Sequence, residues 1–76
     1  MNIIVKAPLM ADKIKDLLNG GTFDGVLFQF VGKTGMLMTF EASADNIQTL
    51  DPASIAKKAI KATDYGKGLY FSVENK

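Results

Sequence analysis

Residues 24–42, DGVLFQFVGKTGMLMTFEA, decide the fold, because they describe a β-hairpin that fixes its own register. Strand side chains alternate between faces, so Val26, Phe28 and Phe30 share one side, and Met36, Met38, Phe40 and Ala42 share one side after the turn. A two-residue loop would pair Phe30 with Leu37 and send the two apolar sets to opposite faces. A three-residue loop, Lys33-Thr34-Gly35, instead pairs Gly32 with Met36, Phe30 with Met38, Phe28 with Phe40 and Val26 with Ala42. All the large groups then face one way. Such loops end in a left-handed residue, and Gly35 stands at that position.

Upstream of the hairpin, Asn2 to Ala7 alternates Ile3, Val5 and Ala7 against Asn2, Ile4 and Lys6, the pattern of a first strand. Pro8 ends it and suits the first position of a helix whose stripe is Met10, Ile14, Leu17 and Leu18, with Gly20 and Gly21 as the stop. Thr22 to Gly25 reads as a short connection, with Phe23 plugging the end of the core. Downstream, Ser43 to Leu50 is a polar crossover whose Ile47 packs down. Asp51 is the N-cap and Pro52 the first residue of a second helix, with Leu50 and Ile55 at the positions of a hydrophobic staple. Ile55, Ala59, Ile60 and Ala62 or Thr63 form its narrow apolar stripe, and Gly66 stops it. Gly68 to Glu74 alternates again, as a fourth strand.

The order β-α-β-β-α-β, with right-handed crossovers, predicts an α+β fold. The expected architecture is a ferredoxin-like βαββαβ two-layer sandwich: a four-stranded antiparallel sheet ordered 4-1-3-2 with two helices on one face. Its core would hold Ile3, Val5, Val26, Phe28, Phe30, Met38, Phe40, Leu69, Phe71 and Val73. With 76 residues and neither an internal repeat nor a linker, the chain is expected to form a single domain over residues 1–76.

Composition narrows the function classes. Apolar residues at 47% and charged residues at 22% mark an ordinary globular chain, not a disordered one. Cysteine and histidine are absent, which removes disulfides, thiol chemistry and the usual zinc and haem ligands, and points to a reducing cytoplasm. No apolar run approaches the ~20 residues of a membrane span. The N-terminus, MNIIVKAP, lacks the pattern of a signal peptide, so a cytoplasmic location is expected. All nine basic residues are lysine, against eight acids. Without arginine's planar fork, bidentate recognition of phosphate or guanine is weakly served, which disfavours nucleic acid.

Candidate motifs fail on spacing. Gly32-Lys33-Thr34 resembles the end of a phosphate loop, but the position five before it is Leu27 and the tripeptide lies at a hairpin tip. Gly20, Gly21 and Gly25 follow a helix rather than a strand and miss the dinucleotide fingerprint. Asp12 and Asp16 interleave with Lys13 and Lys15 as a solvated face, and Asp45, Asn46 and Asp51 lack calcium-loop spacing. No catalytic, metal-binding or cofactor-binding residue is assigned, and no cofactor is expected.

The outward face of the sheet remains. Ile4, Leu27, Val31, Leu37 and Tyr70 are expected to form an apolar patch there, and exposed patches mark interaction sites. The corresponding face of RNA-recognition modules stacks bases on aromatics, whereas Ile4 and Leu37 stand here and leave Tyr70 as the one platform. Lys57, Lys58 and Lys61, with Lys67 beyond, give the second helix a basic side. The expectation is a small non-enzymatic interaction or regulatory module that self-associates as a homodimer or docks another protein through the open sheet face. The alternative is a small-ligand or single-stranded RNA binder using Tyr70, Lys6 and those lysines.

Overall fold

A computed structural model describes residues 1–76. In chain order they form β1 (Asn2–Lys6), α1 (Ala11–Leu18), β2 (Thr22–Phe23), β3 (Val26–Thr34), β4 (Leu37–Ser43), a single 3-10 turn (Ile47–Thr49), α2 (Pro52–Lys61) and β5 (Ser72–Asn75). The strands make one sheet ordered β2-β3-β4-β1-β5, every neighbouring pair antiparallel. Opposed residues share a face, and the register brings Ile3 against Phe40, Val5 against Met38 and Val73, and Phe28 against Ala42. These side chains pack under the helices, where Ile14 and Leu18 of α1 and Ala53, Ala56 and Ile60 of α2 complete the buried core.

The expected four-stranded ferredoxin-like sandwich is overturned: the sheet has five strands and curls into a half-barrel around its helices. Two local features change the architecture. First, Asp24-Gly25 is not a loose connection but a tight turn, both residues at positive φ (50° and 81°), which folds Thr22 and Phe23 back onto Leu27 and Val26 as an extra edge strand. Asp-Gly is a favoured dipeptide for that turn. Second, β3 carries a bulge. Leu27 to Phe30 pair with Ser43 to Phe40, Gly32 to Thr34 pair with Thr39 to Leu37, and Val31 is the residue left over. A bulge bends its strand and raises the local twist, which curls the sheet.

That bulge also corrects the hairpin register. The turn is the two residues Gly35-Met36, with Gly35 at φ 60°, and Phe30 faces Phe40 rather than Met38. The extra residue at Val31 shifts the alternation by one, so the apolar sets of β3 and β4 share a face without a three-residue loop. Phe30 and Phe40 meet edge to face, ring centres 5.6 Å apart.

Polar side chains close the ends of the layers. Asp51 caps α2, accepting from the Ser54 amide at 3.4 Å and the Ser54 hydroxyl at 2.8 Å. Asn75 of β5 donates its amide to Asp51 at 2.9 Å and accepts from the Ala53 N–H at 3.2 Å, so the last strand is tied to the start of α2. Asn19 accepts from the Phe30 N–H at 3.0 Å, occupying a donor on the free edge of β3. After α2 the chain turns so closely that a Cβ on Gly66 would lie 1.8 Å from the Ile60 carbonyl oxygen. The fourth predicted strand is shortened to Ser72–Asn75, and Leu69, Phe71 and Val73 are half-buried rather than core.

Candidate functional site

Three chain segments converge where β1 ends. The Ala7 N–H donates to the Met36 carbonyl at 3.4 Å, Lys6 pairs with Leu37 on one side and with Ser72 on the other. This end of the half-barrel therefore gathers the Pro8-Leu9-Met10 segment, the β3–β4 turn and the approach to β5. Five large apolar side chains are exposed there, beside the exposed Lys6: Leu9 (68%), Met10 (46%), Met36 (51%), Leu37 and Tyr70 (87%). The other two large apolar residues left exposed are Val31, at the bulge, and Met1. Exposure of this kind is concentrated, not scattered. Methionine, flexible and polarisable, is a side chain that adapts to a partner surface.

The backbone at this end is strained. Met10 is the N-cap of α1 at φ 62° and ψ 22°, and its side chain makes no capping bond. An L-residue other than asparagine or aspartate pays for a left-handed conformation in steric contact, about 1–2 kcal/mol. Strain of this sort clusters at functional sites. Here it turns the chain between Pro8 and Ala11 so that Leu9 and Met10 point away from the core that Ile14 and Leu18 enter.

The five residues expected to form an apolar patch divide. Leu37 and Tyr70 belong to the exposed end, Tyr70 two residues before the Ser72 partner of Lys6, and not in a strand. Val31 is exposed at the bulge of β3, apart from that end. Ile4 is half-buried on the outward face between Thr39 and Glu74. Leu27 lies opposite Ser43 and Thr22, at the far end of the sheet. Between them the outward face is polar, carrying Asn2, Gln29, Thr39 and Glu41, and it holds no aromatic ring on which a base could stack. Leu9, Met10 and Met36 were not among the expected residues. Met10 fits the helical stripe and Met36 the strand alternation, and both patterns direct them inward; the missing signal was Ala7, which offers no side-chain cap ahead of Pro8.

Three concavities lie elsewhere, along α2. One, about 480 Å3, is lined by Asp51, Ser54, Lys57, Glu74 and Asn75. Within it Asp51, Ser54 and Asn75 are joined by hydrogen bonds, and those from the Asn75 amide, then the Ser54 hydroxyl and N–H, hold the Asp51 carboxyl below its ordinary pKa. The other two share Lys58 and Ala62, one along the lysines of α2 and one between α2 and β2. No three His, Cys, Asp or Glu side chains come together, and no buried polar side-chain atom lacks a partner. No helix is long and apolar enough to cross a membrane. No protein-family model matches the chain, and no curated protein or solved structure matches it.

Proposed function

We propose that this protein is a small non-enzymatic interaction module that docks a second copy of itself through the apolar end formed by Leu9, Met10, Met36, Leu37 and Tyr70. The observation that carries the reading is the concentration of exposed large apolar side chains on that end, on a segment held in a strained conformation. A partner-free protein of this size gains nothing from keeping Leu9 in water. A two-fold contact matches one such patch to its copy.

Small domains bury a limited fraction of their surface and gain from association.

Sedimentation velocity over a dilution series tests the proposal. The chain is expected to shift from dimer to monomer on dilution. Leu37→Lys or Leu9→Lys should leave a monomer at every concentration, whereas Gln29→Lys, exposed on the outward face of β3, should leave the dimer intact. A wild-type monomer throughout, or a dimer abolished by Gln29→Lys alone, would overturn it.

A further inference from the structure

A second surface lies at the other end of β3, where β2 folds back beside α2. There, Phe23 faces the helix across a groove of about 300 Å3 whose α2 side is built by Ile55, Ala59 and Ala62. These stand at i, i+4 and i+7, one face of a helix, and they are not the buried line of Ala53, Ala56 and Ile60. Two of the three are alanines, so the groove stays open. Phe23, Ile55 and Ala59 are only half-buried.

The rim of this groove is basic on one side. Lys58 and Ala62 belong both to the groove and to an adjoining shelf lined by Ser54, Lys57 and Lys61. None of these three lysines makes an ion pair; the one pair in the protein is Lys67 with Asp64, at 4.0 Å. Two lysines of α1 are engaged with rings, Lys15 over Phe30 at 4.4 Å and Lys13 over Tyr65 at 5.7 Å. Lys57 and Lys61 stand four apart, a like-charge spacing that weakens a helix. α2 itself contains no acid that offsets them. Lys58 and Lys61 do complement the helix dipole at the last turn, but Lys57 stands too far from the end for that role. The opposite wall carries Asp24, so the groove has a positive side and a negative side.

We infer that this groove binds an acidic segment of a partner protein, one bulky apolar residue seated between Phe23 and Ala59 and its neighbouring carboxylates against Lys57, Lys58 and Lys61. The charge of the shelf selects the sign of the partner, and Asp24 sets its direction, since carboxylates on the Phe23 side would be repelled. A volume of about 300 Å3 accommodates one bulky side chain. The surface is separate from the apolar end, so occupation of one does not require the other.

Fluorescence polarisation with a fluorescein-labelled peptide, a run of glutamates followed by one phenylalanine, tests the inference on the full chain. Saturable binding is expected, weaker at higher ionic strength because exposed charges are screened. Replacing the phenylalanine by alanine, or making Lys58→Glu, should each weaken binding about tenfold. Ala62→Arg, at an exposed position, should also weaken it by blocking the groove, although it adds positive charge. Amide shifts on binding should centre on Phe23, Ile55 and Ala59. Absence of binding at low ionic strength would overturn the inference, as would equal affinity for the alanine peptide, tighter binding after Ala62→Arg, or a preference for single-stranded oligothymidine.

Discussion

Paired substitutions at Met10 separate folding from association. Met10→Ala and Met10→Asn both remove the thioether side chain, but only asparagine suits the left-handed backbone at φ 62°. Asparagine is several-fold enriched in that region, which corresponds to about 0.6–1 kcal/mol. The asparagine variant should therefore melt roughly 2–8 °C above the alanine variant, given about 4–8 °C per kcal/mol in a domain of this size. Association should respond differently. Met10 is 46% exposed in the monomer, so about half of the ~1.5–3 kcal/mol released by burying a methionine is left for the interface. A two-fold dimer loses that amount twice, together about 1.5–3 kcal/mol, or roughly ten- to 150-fold in Kd. Both variants should lose it. Thermal melts at a concentration where each is monomeric, alongside sedimentation equilibrium, read the two effects apart. Equal melting temperatures for the two variants would refute the strain, and a wild-type Kd in either would remove Met10 from the interface.

Further consequences follow from the other contacts. Gly66→Ala forces a Cβ to within 1.8 Å of the Ile60 carbonyl oxygen, and relieving that overlap should cost about 2–3 kcal/mol, visible as a lower urea midpoint with an unchanged slope. Because Asp51 has its pKa lowered by folding, its contribution to stability is complete above the ordinary aspartate value and disappears as pH falls through the lowered one. Wild type and Asp51→Asn should therefore converge in stability in acid, and a difference that stays constant down to strong acid would contradict the capping role. Salt should act on the two surfaces in opposite directions: sulfate strengthens apolar association at the Leu9 end, while sodium chloride weakens peptide binding at the lysine shelf. Parallel responses in the two binding assays would contradict the assignment of one surface to burial and the other to charge.

What was legible in the sequence followed from chemistry local to a few residues. Asp51-Pro52 marked the start of α2 because a capping carboxylate and a proline at the first position act within one turn. The inward sets of β1, β3 and β4 followed from period two. Register did not, because a single bulged residue at Val31 changes the pairing of every residue beyond it, and no residue type announces a bulge there. β2 was marked, by Asp24-Gly25, but two paired residues on each side leave no alternation to notice. Leu69 to Phe71 alternate as a strand does, yet β5 begins only at Ser72, since pairing depends on where β1 ends. At the apolar end Leu37 and Tyr70 could be recognised as outward, as could Val31 at the bulge. Leu9, Met10 and Met36 could not, because their exposure comes from a left-handed residue and a two-residue turn.

Amide chemical shifts followed through a dilution series test the proposed self-docking of the apolar end residue by residue. Concentration-dependent shifts are expected, confined to residues 7–10, 35–38 and 69–71, with Asn2, Gln29 and Glu41 on the outward face unmoved. Shifts centred on that polar face, or a spectrum that does not change with concentration, would contradict it.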